Sequence, residues 1–206
     1  MKPPVTIVGF DKYITAFLYP DNNSTSALED WQLGGIGLSN ASQGLQVQAW
    51  NLTVQGTGTN TSVWLSAPNT PAAQLFALAN ITWARLAFDQ NMHPVVSYVA
   101  GGAPGFYWWD PTIPGATFTT LPNTVINPCV TLDDKRAIQT LLGNNDVVMC
   151  YINNGNLCYR LQRDRYGTEY VWYSNITSLL VNPFVNKIGM SNNYRLLIEL
   201  RGALYQ

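Results

Sequence analysis

The chain has 206 residues, enough for one sizeable core or two subdomains. Only 11% of them are charged against 12% aromatic, and the formal net charge is −1; nothing in that balance points to nucleic acid or an anionic membrane as a partner. Low charge combined with many aromatics suits a protein that covers part of its surface in an assembly.

The chain opens on MKPPVTIVGFDKY, whose short apolar run is cut by Asp11 and Lys12. It lacks the core of a signal peptide, and no apolar run reaches the length of a membrane span. Residues 1–43 are read as an N-terminal segment, extended or serving as an assembly arm, and residues 44–206 as a β-rich domain. GLQVQAWNLTV, 44–54, alternates until Ala49-Trp50, where the apolar parity flips and a bulge is expected. AAQLFALA, 72–79, reads as two helical turns. ARLAFD, 84–89, and VVSYVA, 95–100, read as strands joined by a His-Pro turn, with FYWWD, 106–110, as a third. DDKRAIQTLLG, 133–143, reads as a short helix ending at Gly143. Near the end, YRLLIELR, 194–201, alternates as a half-buried strand.

The stretch DVVMCYINNGNLCYRLQRDR, 146–165, is the most readable. Asn154-Gly155 is a favoured centre for a two-residue type I′ turn, because both positions need positive φ. That sets Asn153 opposite Asn156, Ile152 opposite Leu157, Cys150 opposite Tyr159 and Val148 opposite Leu161. Side chains alternate along a strand, so those last six form one apolar, buried face. Val147, Met149, Tyr151, Cys158, Arg160 and Gln162 take the other, expected to be half-exposed and covered by some contact. Cys150 and Cys158 then point apart, which argues against a disulfide between them. With Cys129 they are the only cysteines, an odd number with no metal-ligand spacing. The single histidine, His93, reads as a turn residue. Seven Asn-X-Ser/Thr triplets, at Asn22, Asn23, Asn40, Asn51, Asn60, Asn80 and Asn175, read as turn chemistry.

A weak internal repeat relates 85–110 to 130–164, aligning Asp89 with Asp133, Tyr98-Val99 with Tyr151-Ile152, and Gly102 with Gly155. The period suits a four-stranded propeller blade or two hairpins of a sandwich. The fold expected is therefore all-β: antiparallel hairpins forming a β-propeller-like or β-sandwich domain, with little helix.

The run VTLDDKRAIQ with NNDVVMCYINNGNLCYRLQRDRYGTEY, and KIGMSNNYRLLIELR near the end, resembles a family of short tail-associated virion proteins of tailed bacteriophages. The likeness extends upstream through ARLAFDQNMHPVVSYV and GGIGLSNASQGLQVQAW, and TLDDKR with YRLQRDRYGTEY is its most specific part. The resemblance implies a structural role in a tail, fibre or adaptor of the virion, and brings no catalytic motif with it.

Three roles follow as expectations. The first is a non-enzymatic tail component that forms homo-oligomers and contacts other tail proteins. Arg160, Arg163 and Arg165, with Lys135 and Arg136, would form its interface, since a guanidinium pairs carboxylates at two points. The alternative is a carbohydrate-binding module that attaches to host surface glycan, with Tyr107, Trp109 and Asp110 as candidate contacts. Tyr107 and Trp109 share one strand face, whereas Trp108 lies on the other. The third is a polysaccharide depolymerase, which needs two spaced carboxyls. Asp110, Asp133, Asp134, Asp146 and Asp164 are available, but no paired-acid, phosphate-loop or dinucleotide motif frames them. No cofactor, metal or nucleic acid is expected, and no membrane insertion.

Overall fold

A computed structural model of the protein describes residues 5–8, 14–20, 33–39, 46–67, 70–89, 93–133, 146–190 and 196–204. They form no α-helix. Strands β1 (Val5–Val8) and β2 (Ile14–Pro20) lie near the N-terminus. Next come β3 (Leu33–Ser39), β4 (Gln46–Gln55), β5 (Thr61–Ala67) and β6 (Thr70–Leu78), which pair in sequence as sheet I. Sheet II is β7 (Ile81–Phe88), β8 (Pro94–Ala100), β9 (Ala103–Trp109) and β10 (Ala116–Thr120). Sheet III is β11 (Val125–Asp133), β12 (Asp146–Asn153), β13 (Asn156–Leu161) and β14 (Tyr170–Tyr173). Sheet IV joins β15 (Leu180–Met190) and β16 (Leu196–Leu204) to β2 and β1, with β2 parallel to β16 and the other pairs antiparallel.

The first strand of each sheet packs on the first strand of the next: β3 on β7, β7 on β11, β11 on β15. The sheets thus pack in chain order, and the last is completed by strands from the other end of the chain. Three buried clusters fill the gaps between neighbouring sheets. Leu52, Val63 and Phe76 meet Leu86, Val96 and Tyr98 between sheets I and II. Val95, Phe106 and Trp108 meet Val147, Met149 and Tyr151 between II and III. Val148, Cys150 and Ile152 meet Val185, Ile198 and Leu200 between III and IV.

This stacking corrects the one-sided hairpin. The register of β12 and β13 is the one the turn dictates, from Asn153↔Asn156 to Val148↔Leu161, and Asn154 and Gly155 have φ of 47° and 75°. Yet every residue of β12 is buried, on both faces. A strand covered on both sides has no need of alternation. The bulge expected at Ala49-Trp50 is absent: β3 and β4 pair without a break from Leu33↔Leu52 to Ser39↔Gln46. AAQLFALA is strand, not helix, because two helical turns are marginal alone and β5 supplies a pairing edge from Thr61↔Leu78 to Ala67↔Thr70. Residues 1–43 are not set apart from the rest, since β3 belongs to sheet I and β1–β2 to sheet IV. Of 133–143, Asp133 ends β11; the remainder, with Lys135 and Arg136, lies outside the described residues.

Bulges do occur at a repeat that the alternation test misses. VINPCV in β11 and LVNPFV in β15 both break register, between Ile126 and Cys129 and between Val181 and Phe184. Asn127 and Asn182 have φ of 43° and 50°, and the proline that follows has no N–H to give the ladder. Such breaks turn backbone carbonyls toward the neighbouring sheet. Pro128 O accepts from Trp83 Nε1 (2.9 Å) and Ser97 Oγ (2.5 Å) of sheet II. In β15, Asn186 O accepts from Arg85 Nε at 3.1 Å, and Arg85 also lies 3.6 Å over the Trp83 ring.

Candidate functional site

The charged end of β13 forms a corner between sheets II and III. After Leu161 the chain makes a 3₁₀ turn, Gln162–Asp164, and then two successive non-glycine residues at positive φ, Arg165 (53°) and Tyr166 (55°). Such conformations cost on the order of 1–3 kcal/mol each and persist only where the surroundings hold them. Here Arg165 N donates to Gln162 O (2.7 Å), Tyr166 N to Leu161 O (3.0 Å) and Gly167 N to Asp164 O (2.9 Å). The Tyr166 ring is buried edge-on against Phe106 and Trp108, with centroids at 4.8 and 5.0 Å. Its hydroxyl has no hydrogen-bond partner among the described residues, and burial pushes the phenol up, with Asp146 and Asp89 adding to the effect.

Each arginine of the rim has an acid within the chain. Arg160 Nε donates to Tyr151 Oη (2.6 Å) and Nη1 to Tyr166 O (2.7 Å), while Nη2 lies 3.7 Å from Glu169. Tyr151 Oη donates in turn to Glu169 Oε2 (2.7 Å), and Asn153 Nδ2 to both carboxylate oxygens (3.0 and 3.1 Å). Burial pushes the Tyr151 phenol up, and donation to Glu169 pushes it further. Arg163 contacts Asp146 through its side chain, and its backbone N–H donates to Oδ1 at 2.8 Å. Arg165 reaches sheet II, where Nη2 meets Asp110 Oδ2 at 2.6 Å. The guanidinium bound there holds the Asp110 carboxyl below its usual range; burial works against this and hydrogen bonds from Thr112 reinforce it.

The candidate glycan contacts are not brought together as one surface. Tyr107 packs into an aromatic group with Phe76 (5.0 Å) and Phe118 (5.4 Å). Asp110 is buried, with Oδ1 accepting from Thr112 N and Oγ1 and Oδ2 held by Arg165. Trp109 remains half-buried, with the His93 imidazole stacked on it at 4.7 Å and an interplanar angle of 16°. His93 is a turn residue with added work: its N–H donates to Asp89 Oδ1 (2.8 Å) and its Nδ1 lies 3.3 Å from Oδ2. Gln162 Nε2 reaches the same oxygen at 3.3 Å, tying the β7–β8 turn to the corner.

Sequence reasoning missed Asp89, Asp146, Glu169 and Tyr166 as parts of this corner. Their partners lie up to 73 residues away, and no local pattern announces such a pair. Among the described residues no three His, Cys, Asp or Glu side chains converge so as to hold a metal ion. Of the carboxylates considered for hydrolysis, Asp110 and Asp146 are each bound to arginine and Asp164 accepts from Tyr170 Oη at 2.7 Å. The Asp133 side chain and Asp134 lie outside the described residues. Among known proteins the chain matches no family model, no curated relative and no solved structure.

Proposed function

We propose that the chain is a structural, non-enzymatic component of a bacteriophage tail, acting through contacts with copies of itself and with other tail proteins. The resemblance of TLDDKR and YRLQRDRYGTEY to short tail-associated virion proteins supports this reading. So does the use of that second stretch as a braced corner between two sheets.

The observation that carries it in the fold is the condition of two outer strands. β10 (ATFTT) and β14 (YVWY) end sheets II and III and contain neither charge nor proline. Both expose an apolar side chain, Phe118 at 48% and Val171 at 53%. Sheet edges that face water are ordinarily protected by charges, prolines or bulges, because an open edge pairs with other chains. β14 breaks register opposite Leu157 and Cys158, whereas β10 pairs with β9 without a break, so β10 is the unprotected edge; such an edge suits a protein whose neighbours pair with or cover it.

The test is made on phage particles whose genome encodes the chain, banded on a density gradient. Mass spectrometry of the particles should find it at a fixed copy number, and gold-labelled antibody should decorate the tail. A chain that stays in the soluble lysate and never bands with particles would rule the assignment out.

A further inference from the structure

We propose that β10 pairs antiparallel with β10 of a second copy of the chain, across a two-fold axis at Phe118, so that sheet II continues from one copy into the other. The inference deepens the tail assignment and rests on its reading of the chain as one that contacts copies of itself.

The parity of the β9–β10 ladder fixes which backbone groups are open. β10 is an end strand of sheet II and pairs with β9 from Ala116↔Trp109 to Thr120↔Gly105. In the same register Leu121 N donates to Pro104 O at 3.0 Å. Hydrogen-bonded and non-bonded pairs alternate along an antiparallel ladder, so Thr117 and Thr119 turn their N–H and C=O groups to β9. Ala116, Phe118 and Thr120 turn theirs away, and among the described residues those groups take no partner. A register that sets Phe118 opposite Phe118 of the second copy also sets Ala116 opposite Thr120 and Thr120 opposite Ala116. Every outward residue then meets an outward residue, in three pairs of two hydrogen bonds each. An axis at Thr117 or at Thr119 leaves one outward residue unpaired.

Charge and apolar surface select a second copy as the occupant. A two-fold contact brings a surface against itself, so any charge on it meets like charge. Residues 111–132 contain no Asp, Glu, Lys or Arg, and the edge can meet itself without that penalty. A foreign strand chosen by charge complementarity finds no charge on β10 to pair with. The same uncharged stretch holds three of the six large apolar side chains exposed among the described residues, Ile113 at 46%, Phe118 at 48% and Ile126 at 43%, so its open surface is apolar as well as neutral. Phe118 lies edge-on to Phe76 at 5.3 Å and to Tyr107 at 5.4 Å. Across the axis the two Phe118 rings are direct cross-strand neighbours on one face, and each extends the aromatic group of the other copy.

Analytical ultracentrifugation of the purified full chain should show a monomer–dimer equilibrium. Phe118→Lys places two ammonium groups at the axis and should weaken the dimer about tenfold or more, equivalent to about 1.4 kcal/mol. Thr120→Pro removes an outward N–H that the ladder to β9 does not use, and should weaken the dimer too. Val171→Lys, on the β14 edge, should leave it unchanged. Circular dichroism verifies the fold of each variant. Amide hydrogen exchange followed by NMR reads the parity directly. The Phe118 and Thr120 amides should become protected as the dimer forms, whereas those of Thr117 and Thr119 are protected by β9 throughout. The proposal is overturned if the chain stays monomeric at every concentration, if folded Phe118→Lys and Thr120→Pro dimerise as the parent does, or if the Phe118 and Thr120 amides exchange alike in monomer and dimer. Protection of those amides only within phage particles would give the edge to a different tail protein, which also overturns pairing with a second copy. Banding with particles is scored separately, so a monomeric chain that bands keeps the tail assignment and loses this one.

Discussion

A missing β-carbon holds the β12–β13 turn against its neighbour. Gly155 sits at φ 75°, and a Cβ built there would lie 3.0 Å from Thr177 Oγ1 and 3.3 Å from its Cγ2. Its carbonyl accepts from Ile176 N at 2.7 Å, so the turn cannot shift without breaking that bond. Gly155→Val combines an unfavourable φ with this contact and should cost about 2 kcal/mol. The midpoint of urea unfolding measures it, and a change within error would mean that the turn relaxes freely. Asp110 sets a second expectation at this scale, in acid. Arg165 keeps its carboxyl below the usual range. A depressed carboxylate contributes stability above its unfolded value, about 3.9, and loses it as pH falls through the folded value. Asp110→Asn should therefore be less stable than the parent at neutral pH, and the difference should shrink below about pH 4. Thermal melts across pH 2–7 check the sign; a difference that grows in acid contradicts it.

At the scale of the element, the β12–β13 hairpin shows what local chemistry determines. Asn154-Gly155 set the turn, the turn set the register, and alternation assigned each side chain to a face. The left-handed Asn80 (φ 55°) and Asn175 (φ 59°) were legible for the same reason, since asparagine in a turn tolerates that conformation. What lay beyond the hairpin was not legible. Whether a face meets water depends on the next sheet, and the Glu169 partner of Arg160 inside the chain lies beyond the hairpin. AAQLFALA had no turn signal to fix its period, so pairing with β5 decided it. The Arg160 network now changes the expectation for its substitution. Arg160→Met leaves Tyr151, Tyr166 O and Glu169 short of a donor in a part-buried site. Hydrogen bonds to charged groups are each worth about 1.5–3 kcal/mol, so a net loss of about 2 kcal/mol is expected after solvent exposure is allowed for. Chemical denaturation of the variant and of Tyr151→Phe, alone and combined, should show coupling between them. Additive effects would mean that the network is not a unit.

For the whole molecule, closure of sheet IV by both ends of the chain is the feature with the widest consequence. β2 lies beside β16, from Leu196↔Ile14 to Gly202↔Pro20. Ile198 and Leu200 of β16 are fully buried in the cluster that contains Cys129 and Cys150, whereas Cys158 belongs to the cluster between sheets II and III. All three thiols are free and buried. Burial pushes Cys129 and Cys158 up to about 12 and raises Cys150 well above its ordinary value. The thiolate is the reactive form, so a maleimide at neutral pH should label none of them in the folded chain and all of them in denaturant. Deleting residues 1–20 removes β1 and β2 and turns β16 into a sheet edge. Sheet IV should then open more often than the rest, since local opening follows local packing. The order of labelling distinguishes this from general loosening. In the truncated chain, peptide mass spectrometry should find Cys129 and Cys150 labelled before Cys158, because only the first two face the weakened sheet. Equal labelling of all three would mean that the sheets unfold together, and no labelling would mean that β15 and β16 hold their place without strands from the N-terminus.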